Sequence, residues 1–320
     1  MSMPVFAVSR TEAAEFAADV RECLSRTPQR ELPSQYFYDA VGTRLFEAIT
    51  ELPEYGLSRA DERLLRNYAA LIAQAAGNPG ALAELGSGTG KKTRWLLAVL
   101  PRSSYYPIDL SSTALAACKE TLGRVAQVDP VRAGYLEGLE RARARCNGNG
   151  PLLVLFLGST IGNFSRASAS RFLRQVRRRL QPGDSLLLGA DMLKPVPTLL
   201  AAYDDPAGVT AAFNLNLLAR VNRELGGSFN LRQFRHEARW NKEERRIEMH
   251  AVSLARQAVC VPASGLRLVL EEGESIWTES SHKYSPDDLD RLAETGGFAV
   301  KSRWVDKEWP FAETLMTVSA

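Results

Sequence analysis

The chain has 320 residues, 45% of them hydrophobic and 24% charged, and carries a formal net charge of +3. That length holds one large domain or two modest ones with ample core, in a composition ordinary for a folded globular protein. The near-neutral balance, without a long basic run interleaved with aromatics, argues against nucleic acid as a partner.

In chain order, the first 60 residues read as helical and polar, punctuated by Glu31-Leu32-Pro33-Ser34. From about residue 80 to 193, short apolar runs alternate with helical stretches. Strands are predicted at 82–85, 105–109, 152–157 and 185–188, and helices at 93–100, 112–125 and 167–180. Near-continuous apolar strands alternating with helices indicate a parallel sheet covered on both faces. Gln181-Pro182-Gly183-Asp184 is a tight turn into the last of these strands. Within that region Arg141-Ala142-Arg143-Ala144-Arg145, and Arg174 with Arg177-Arg178-Arg179, read as solvated helix faces.

Further on, helices are predicted at 199–203 and 210–224, followed by alternating patterns such as Arg245-Arg246-Ile247-Glu248-Met249-His250-Ala251-Val252. That alternation suits antiparallel strands with one solvated face. Segments 298–305 and 313–318 read as a closing pair of strands. The expected fold class is α/β: a doubly wound Rossmann-like sheet interrupted by an inserted α+β domain. The boundaries put residues 60–193 and 283–320 in the first domain, and 8–59 and 194–282 in the second.

Chemistry concentrates in Glu84-Leu85-Gly86-Ser87-Gly88-Thr89-Gly90-Lys91-Lys92-Thr93, at a strand-to-helix turn. Glycines there permit positive φ and close ligand approach, and the helix N-terminus offers free N–H groups. A phosphate-cradling P-loop fails, because Leu85 stands where its first glycine belongs and a second lysine precedes Thr93. A dinucleotide fingerprint fails too, since the spacing is Gly-x-Gly-x-Gly. The pattern instead resembles motif I of S-adenosylmethionine (SAM) methyltransferases, with Gly86, Ser87, Gly88 and Lys92 toward the cofactor. Asp109, closing the next strand about 20 residues on, is placed to accept ribose hydroxyls.

No apolar run approaches the roughly 20 residues a membrane helix needs, and the N-terminus carries acids and lacks a signal-peptide h-region. No membrane association is expected. Cys23, Cys118, Cys146 and Cys260 lie far apart and read as reduced thiols of a cytoplasmic protein. His236, His250 and His282 do not pair at metal-ligand spacing, so no metal is expected. Nothing suggests an obligate oligomer, and a monomer is expected.

Several phrases beyond motif I converge. They are Tyr36-Phe37-Tyr38-Asp39-Ala40-Val41-Gly42, Leu52-Pro53-Glu54-Tyr55 and Phe156-Leu157-Gly158-Ser159-Thr160-Ile161-Gly162-Asn163. Ala202-Tyr203-Asp204-Asp205, residues 208–214, Arg246-Ile247-Glu248-Met249 and Thr278-Glu279-Ser280-Ser281 follow. Together they resemble the histidine-specific methyltransferases of ergothioneine biosynthesis, over essentially the whole chain. The resemblance implies the class I SAM-methyltransferase fold, SAM as cofactor, L-histidine as small-molecule substrate, and trimethylation of its α-amine to hercynine.

It also implies roles. Tyr55, Glu279 and Ser281 would hold the imidazole, with Met249 beside the ring. Asn163 and Tyr203 would hold the amino-acid end, with Gly158 and Thr160 in the same substrate-binding set. Tyr38 would lie near the sulfonium and the amine, as an orienting partner first and a base second, and Phe46 would form part of the wall. Where the family carries an acid followed by an aromatic against the adenine, this chain has Tyr135-Leu136, with Glu137 as a substitute acid. Gly56 follows Tyr55 where a second tyrosine is expected, which would widen the pocket mouth. Two alternatives stay open: an Nα-methyltransferase for another small amino acid or a histidine derivative, and a non-catalytic SAM-binding regulatory protein.

Overall fold

The computed structural model describes residues 10–146 and 150–318, with side chains from residue 13. The chain divides into two compact units, Gly56–Lys194 with His282–Ala320, and Met1–Tyr55 with Pro195–Ser281. The chain passes from one to the other at Tyr55/Gly56, Lys194/Pro195 and Ser281/His282.

Labels here number the elements of the unit that begins at Gly56. They are α1 (Leu57–Ala75), β1 (Ala81–Leu85), α2 (Arg94–Val99), β2 (Ser104–Asp109), α3 (Ser112–Leu122), β3 (Gln127–Val128) and β4 (Val131–Arg132). There follow α4 (Tyr135–Arg145), β5 (Leu152–Phe156), α5 (Arg166–Arg177), β6 (Ser185–Asp191), α6 (Pro286–Gly296), β7 (Ala299–Val305) and β8 (Phe311–Thr317). The eight strands form one sheet in the order β7-β8-β6-β5-β1-β2-β3, with β4 also on β2. Pairing is parallel from β6 through β2, whereas β8 runs antiparallel to both β6 and β7.

The period of two along each strand sends neighbouring residues to opposite faces. Ala83, Leu85, Ile108, Val154 and Phe156 pack on one side with Leu139, Phe172, Leu173 and Leu289 from α4, α5 and α6. Leu82, Tyr105, Leu153, Leu155 and Leu187 pack on the other with Leu65, Ile72, Leu96 and Cys118 from α1, α2 and α3. The result is a three-layer α/β unit. Helix starts carry their signals: Ser111 and Ser165 cap α3 and α5, and Ser285 with Asp288 forms a capping box ahead of Pro286 on α6.

Two of the arginine runs do more than face water. Arg174 and Arg177 donate to the carbonyls of Thr295 (3.1 Å) and Gly297 (3.2 Å), closing the C-terminal end of α6. Arg143 reaches Asp184 at 3.2 Å. The expectation of purely solvated faces is corrected there, because tertiary packing brings unsatisfied carbonyls and a buried carboxylate within reach.

The other unit has helices Arg10–Leu24, Ala40–Glu51, Val196–Tyr203 and Val209–Leu225 and a four-stranded sheet. The sheet orders Arg30–Glu31, Ser275–His282, Arg246–Ser253 and Phe234–Asn241. A separate antiparallel hairpin joins Gln257–Val261 to Leu266–Leu270.

Candidate active site

Strand order reverses between β1 and β5: the chain moves outward through β2 and β3, then returns to the other side of β1. In an open α/β sheet the crevice beyond the carboxyl ends at such a switch point is where ligands bind. The glycine turn follows β1, and the turn 158–163 follows β5. They abut: an ideal Cβ on Gly158 would lie 3.5 Å from Lys92 Nζ.

Two glycines explain the turn's composition. Gly90 has φ +65°, and a Cβ there would stand 2.7 Å from Cys118 Sγ, so the backbone reaches this position only without a side chain. Gly88, at φ +52°, has no atom within 4 Å of its ideal Cβ, so the turn opens to a ligand there. Gly88 N–H donates to Asp109 Oδ2 (2.9 Å) and Ser111 N–H to Asp109 Oδ1 (2.8 Å). Each carboxylate oxygen keeps a second lone pair for a ribose hydroxyl. Lys92 gives its ammonium to Asp61. The turn therefore presents backbone N–H groups and a carboxylate rather than an uncommitted cation, which fits a nucleoside sulfonium and not a polyphosphate.

Glu84, the acid two residues before Gly86, faces the interior. It accepts from Thr93 Oγ1 at 2.5 Å and from the Tyr105 hydroxyl, and burial pushes its carboxyl up to about 7. The second turn is held in a strained backbone, with Gly158 at φ +69° and Ser159 at φ +58°. Ser159 Oγ accepts the Asp191 N–H (2.9 Å), and Thr160 Oγ1 donates to the Leu157 carbonyl (3.0 Å). Asn163 ends the short 3-10 turn Thr160–Asn163.

Tyr135 opens α4 and lays its ring against the first glycine, 3.3 Å from where a Gly86 Cβ would be. Its ring also meets Phe156 edge-on at 5.5 Å, and burial raises its phenol to about 12. Leu136 packs into the same apolar cluster. Glu137 pairs with Arg141 on the helix surface (2.6 Å, Glu137 59% exposed). The idea of Glu137 as a stand-in acid is corrected: two positions along the helix turn it away from the ring that Tyr135 buries.

In the other unit, five residues singled out from sequence lie in one row. Tyr38 and Phe46 meet edge-on at 5.6 Å, Phe46 and Tyr55 at 6.4 Å, and Tyr55 and Tyr203 at 6.0 Å. Tyr203 Oη and Ser281 Oγ are hydrogen-bonded at 2.7 Å. Glu279 and Ser281 share one face of strand Ser275–His282, two residues apart. Met249, 2% exposed, sits on strand Arg246–Ser253, and its carbonyl accepts from Thr278 Oγ1 at 2.9 Å. Asp39, beside Tyr38, caps helix Ala40–Glu51 through Gly42 N–H (2.7 Å) and accepts from Asn216 (2.9 Å), which fixes the Tyr38 segment.

Sequence reasoning gave the supports of this row no role, although Phe213 and Asn214 fall in the phrase 208–214. Phe213 stacks on Phe37 at 4.5 Å and touches both Tyr38 and Phe46. Asn214 donates to His236 Nδ1 (2.8 Å) and accepts from Thr278 (2.6 Å), while His236 Nε2–H donates to the Tyr203 carbonyl (2.7 Å). A histidine and an asparagine at core positions carry no local signature of what they hold. Asp61 was missed as well, although a signal existed: it falls on the apolar stripe Leu57-Ala60-Asp61-Leu64-Leu65 of α1.

Gly56 does not widen a pocket mouth. A Cβ there would lie 2.2 Å from Trp309 Cε3, so an indole already fills the space. Among the described residues no His, Cys, Asp or Glu cluster could hold a metal, and no helix is long and apolar enough to cross a membrane.

A doubly wound sheet, a glycine turn at its switch point and an acid closing the next strand define a SAM-dependent methyltransferase of Rossmann-like fold. Comparison with known proteins agrees. A family model described as histidine-specific methyltransferase, SAM-dependent, matches residues 16–318. The histidine N-alpha-methyltransferase of Mycolicibacterium smegmatis is 39% identical over 322 residues, 98% of each chain. That of Mycobacterium tuberculosis is 40% identical over 304 residues, 93% of each chain. Ergothioneine biosynthesis protein 1 of Schizosaccharomyces pombe is 30% identical over 86% of this chain and 37% of its own length. The chain belongs to the SAM-dependent histidine-specific methyltransferase family.

Proposed function

We propose that this enzyme methylates the α-amine of L-histidine three times, giving hercynine for ergothioneine biosynthesis, and works as a cytoplasmic monomer. The observation that carries the reading is the buried hydroxyl pair beside Tyr55 that joins Tyr203, at the end of helix Val196–Tyr203, to Ser281 on the sheet that carries Glu279 and Met249. A site built from several buried polar groups favours a substrate that hydrogen-bonds them all, because an apolar analogue leaves them unpaired. An imidazole-bearing zwitterion suits that set. Tyr55, Glu279 and Ser281 hold the imidazole with Met249 beside it, and Asn163 and Tyr203 hold the amino-acid end with Gly158 and Thr160.

Bound SAM supplies a methyl group on a sulfonium, which the lone pair of a neutral amine takes as the carbon–sulfur bond breaks. Gly86, Ser87, Gly88, Lys92, Asp109, Tyr135 and Leu136 hold the cofactor in this reading. Tyr38, 45% exposed, accepts from the amine and orients its lone pair, with Phe46 as wall. The main contribution of the residues is alignment, which converts an encounter into an effectively unimolecular step. The ammonium form has no lone pair to give, so the bound amine must lose a proton before it can attack. After each of the first two transfers a proton leaves the amine, and after the third none remains.

The test is mass spectrometry with fragmentation of L-histidine incubated with enzyme and SAM. The expected result is successive methyl additions, up to three, all on the α-nitrogen, with L-tryptophan and L-tyrosine unmodified. Methylation confined to the imidazole, or a preference for tryptophan, overturns the reading.

A further inference from the structure

Asp61 lies on α1, fully buried, and one of its oxygens serves two turns. Oδ2 accepts the Lys92 ammonium from the cofactor turn and the Gly158 N–H (3.0 Å) from the turn after β5. Its other oxygen, Oδ1, meets no donor among the described residues. Glu313 on β8 is also fully buried, and neither of its carboxyl oxygens meets a donor there. Its partner across the β6–β8 ladder is Gly189, where a Cβ would stand 2.8 Å from Glu313 Oε1. The sheet therefore keeps a glycine where this carboxyl needs room.

Two buried carboxylates that can only accept hydrogen bonds leave orphaned oxygens, which is costly away from water. One proton resolves the problem, since a protonated carboxyl becomes a donor to the other. The groups facing Glu313 are Asp61 from α1, Lys92 from the glycine turn and Glu84 from β1. Three carboxyls share one ammonium, so a single negative charge is compensated and a proton is favoured on the rest. Burial first, then the negative charge of Asp61, pushes the Glu313 carboxyl well above the usual range. Glu84 has its own donors in Thr93 and Tyr105, which leaves Glu313 as the carrier of the proton toward Asp61.

We propose that Glu313 donates a shared proton to Asp61, and that this carboxyl–carboxylate pair is a positioning device for the methyl-transfer site. It pins Lys92 and Gly158 to one oxygen and so sets the cofactor turn against the turn that leads to Asn163. Deprotonation of Glu313 places a second negative charge beside Asp61 and draws Lys92 out of register. The proposal rests on the SAM-dependent assignment and not on the number of methyl groups transferred.

The test uses the full chain, S-adenosylhomocysteine as probe, and two readouts. Infrared difference spectroscopy on the unliganded protein at neutral pH, in a Glu84→Gln background that removes the other raised carboxyl, should show the carbonyl band of a buried protonated carboxyl, and adding Glu313→Gln should abolish it. Calorimetry at successively higher pH should show wild-type affinity falling by about tenfold as Glu313 titrates, while Glu313→Gln, whose amide N–H still donates to Asp61, stays flat until Lys92 itself titrates. Asp61→Asn, checked for folding by circular dichroism, should lose about tenfold or more in affinity at every pH, because Asn no longer compensates Lys92. A carboxyl band that persists in the Glu84→Gln/Glu313→Gln double variant, superimposable wild-type and Glu313→Gln pH profiles, or unchanged affinity in Asp61→Asn overturns it. The infrared readout needs neither ligand nor turnover, so an error in the acceptor assignment leaves this test intact.

Discussion

Tyr203 and Ser281 meet hydroxyl to hydroxyl at 2.7 Å, with 7% and 4% of their surfaces exposed. The Tyr203 backbone is fixed as well, by the N–H of His236 Nε2 at 2.7 Å, with Asn214 donating to the other ring nitrogen. The phenol is thus aimed rather than merely packed. Tyr203→Phe should keep the fold at a cost of about 1 kcal/mol and raise KM for histidine by roughly tenfold. Affinity for S-adenosylhomocysteine should not change. Steady-state kinetics with parallel calorimetry checks this, and an unchanged KM removes Tyr203 from the substrate site.

Met249 and Glu279 lie in one sheet, on strands Arg246–Ser253 and Ser275–His282, one apolar and buried, the other partly exposed. The double substitution Glu279→Val with Met249→Val removes the polar partner assigned to the imidazole and reshapes its apolar side. Loss of a hydrogen bond to a charged group costs about 1.5–3 kcal/mol, so kcat/KM for histidine should fall by at least about tenfold. Intact histidine turnover in the double variant would show that the imidazole lies elsewhere.

Gly56 and Trp309 form a tight contact inside one unit. Trp309 is itself anchored, since its indole N–H donates to Asp191 Oδ1 at 3.0 Å and its ring lies under the Lys194 ammonium at 4.7 Å. An added Cβ cannot push such an indole aside cheaply. Gly56→Ala should lower stability by about 1–3 kcal/mol, the usual cost of overpacking. Combining Gly56→Ala with Trp309→Leu should cost less than the sum of the two single changes, a coupling that a thermal double-mutant cycle measures. Strict additivity would contradict the contact.

Two buried groups give stability opposite pH dependences. His250, 3% exposed, bonds Ser275 Oγ through Nδ1 at 3.1 Å, and burial, then the Arg239 charge, lowers its pKa from 6.5 to about 4. The unfolded chain therefore binds this proton first as pH falls, and stability is lost between about 6.5 and about 4, by a total of up to ~3 kcal/mol. Glu84, raised by burial from 4.5 to about 7, acts the other way: its contribution is present below 4.5 and is lost as pH rises toward 7. In calorimetric Tm-against-pH curves, His250→Gln should flatten the acid limb and Glu84→Gln the decline toward neutrality. An acid limb in His250→Gln as steep as in wild type would refute the first assignment.

Local patterns carried far in this chain. The strand–helix alternation from Ala81 to Asp191, the glycine turn, the serine caps and Asp109 are short-range features, because period, φ and capping are set by residues within a few positions of each other. Asn163, Tyr203, Met249, Glu279 and Ser281 could be named only as matching letters. What supports Tyr203 needed the fold, which stacks Phe213 under Tyr38 and Phe46 and turns His236 onto the Tyr203 carbonyl.

Sequence by itself determined the doubly wound sheet and its SAM-type turn, since both follow from which residues can be buried and which can take positive φ. Tertiary structure alone decided which distant residues meet: Asp61 under Lys92 and Gly158, Glu313 opposite Gly189, and Trp309 over Gly56. Burial patterns record that a position is inside, but a buried charge or a filled space is defined by its partner. Here the partners come from distant strands and helices, brought together only when the sheet closes its order.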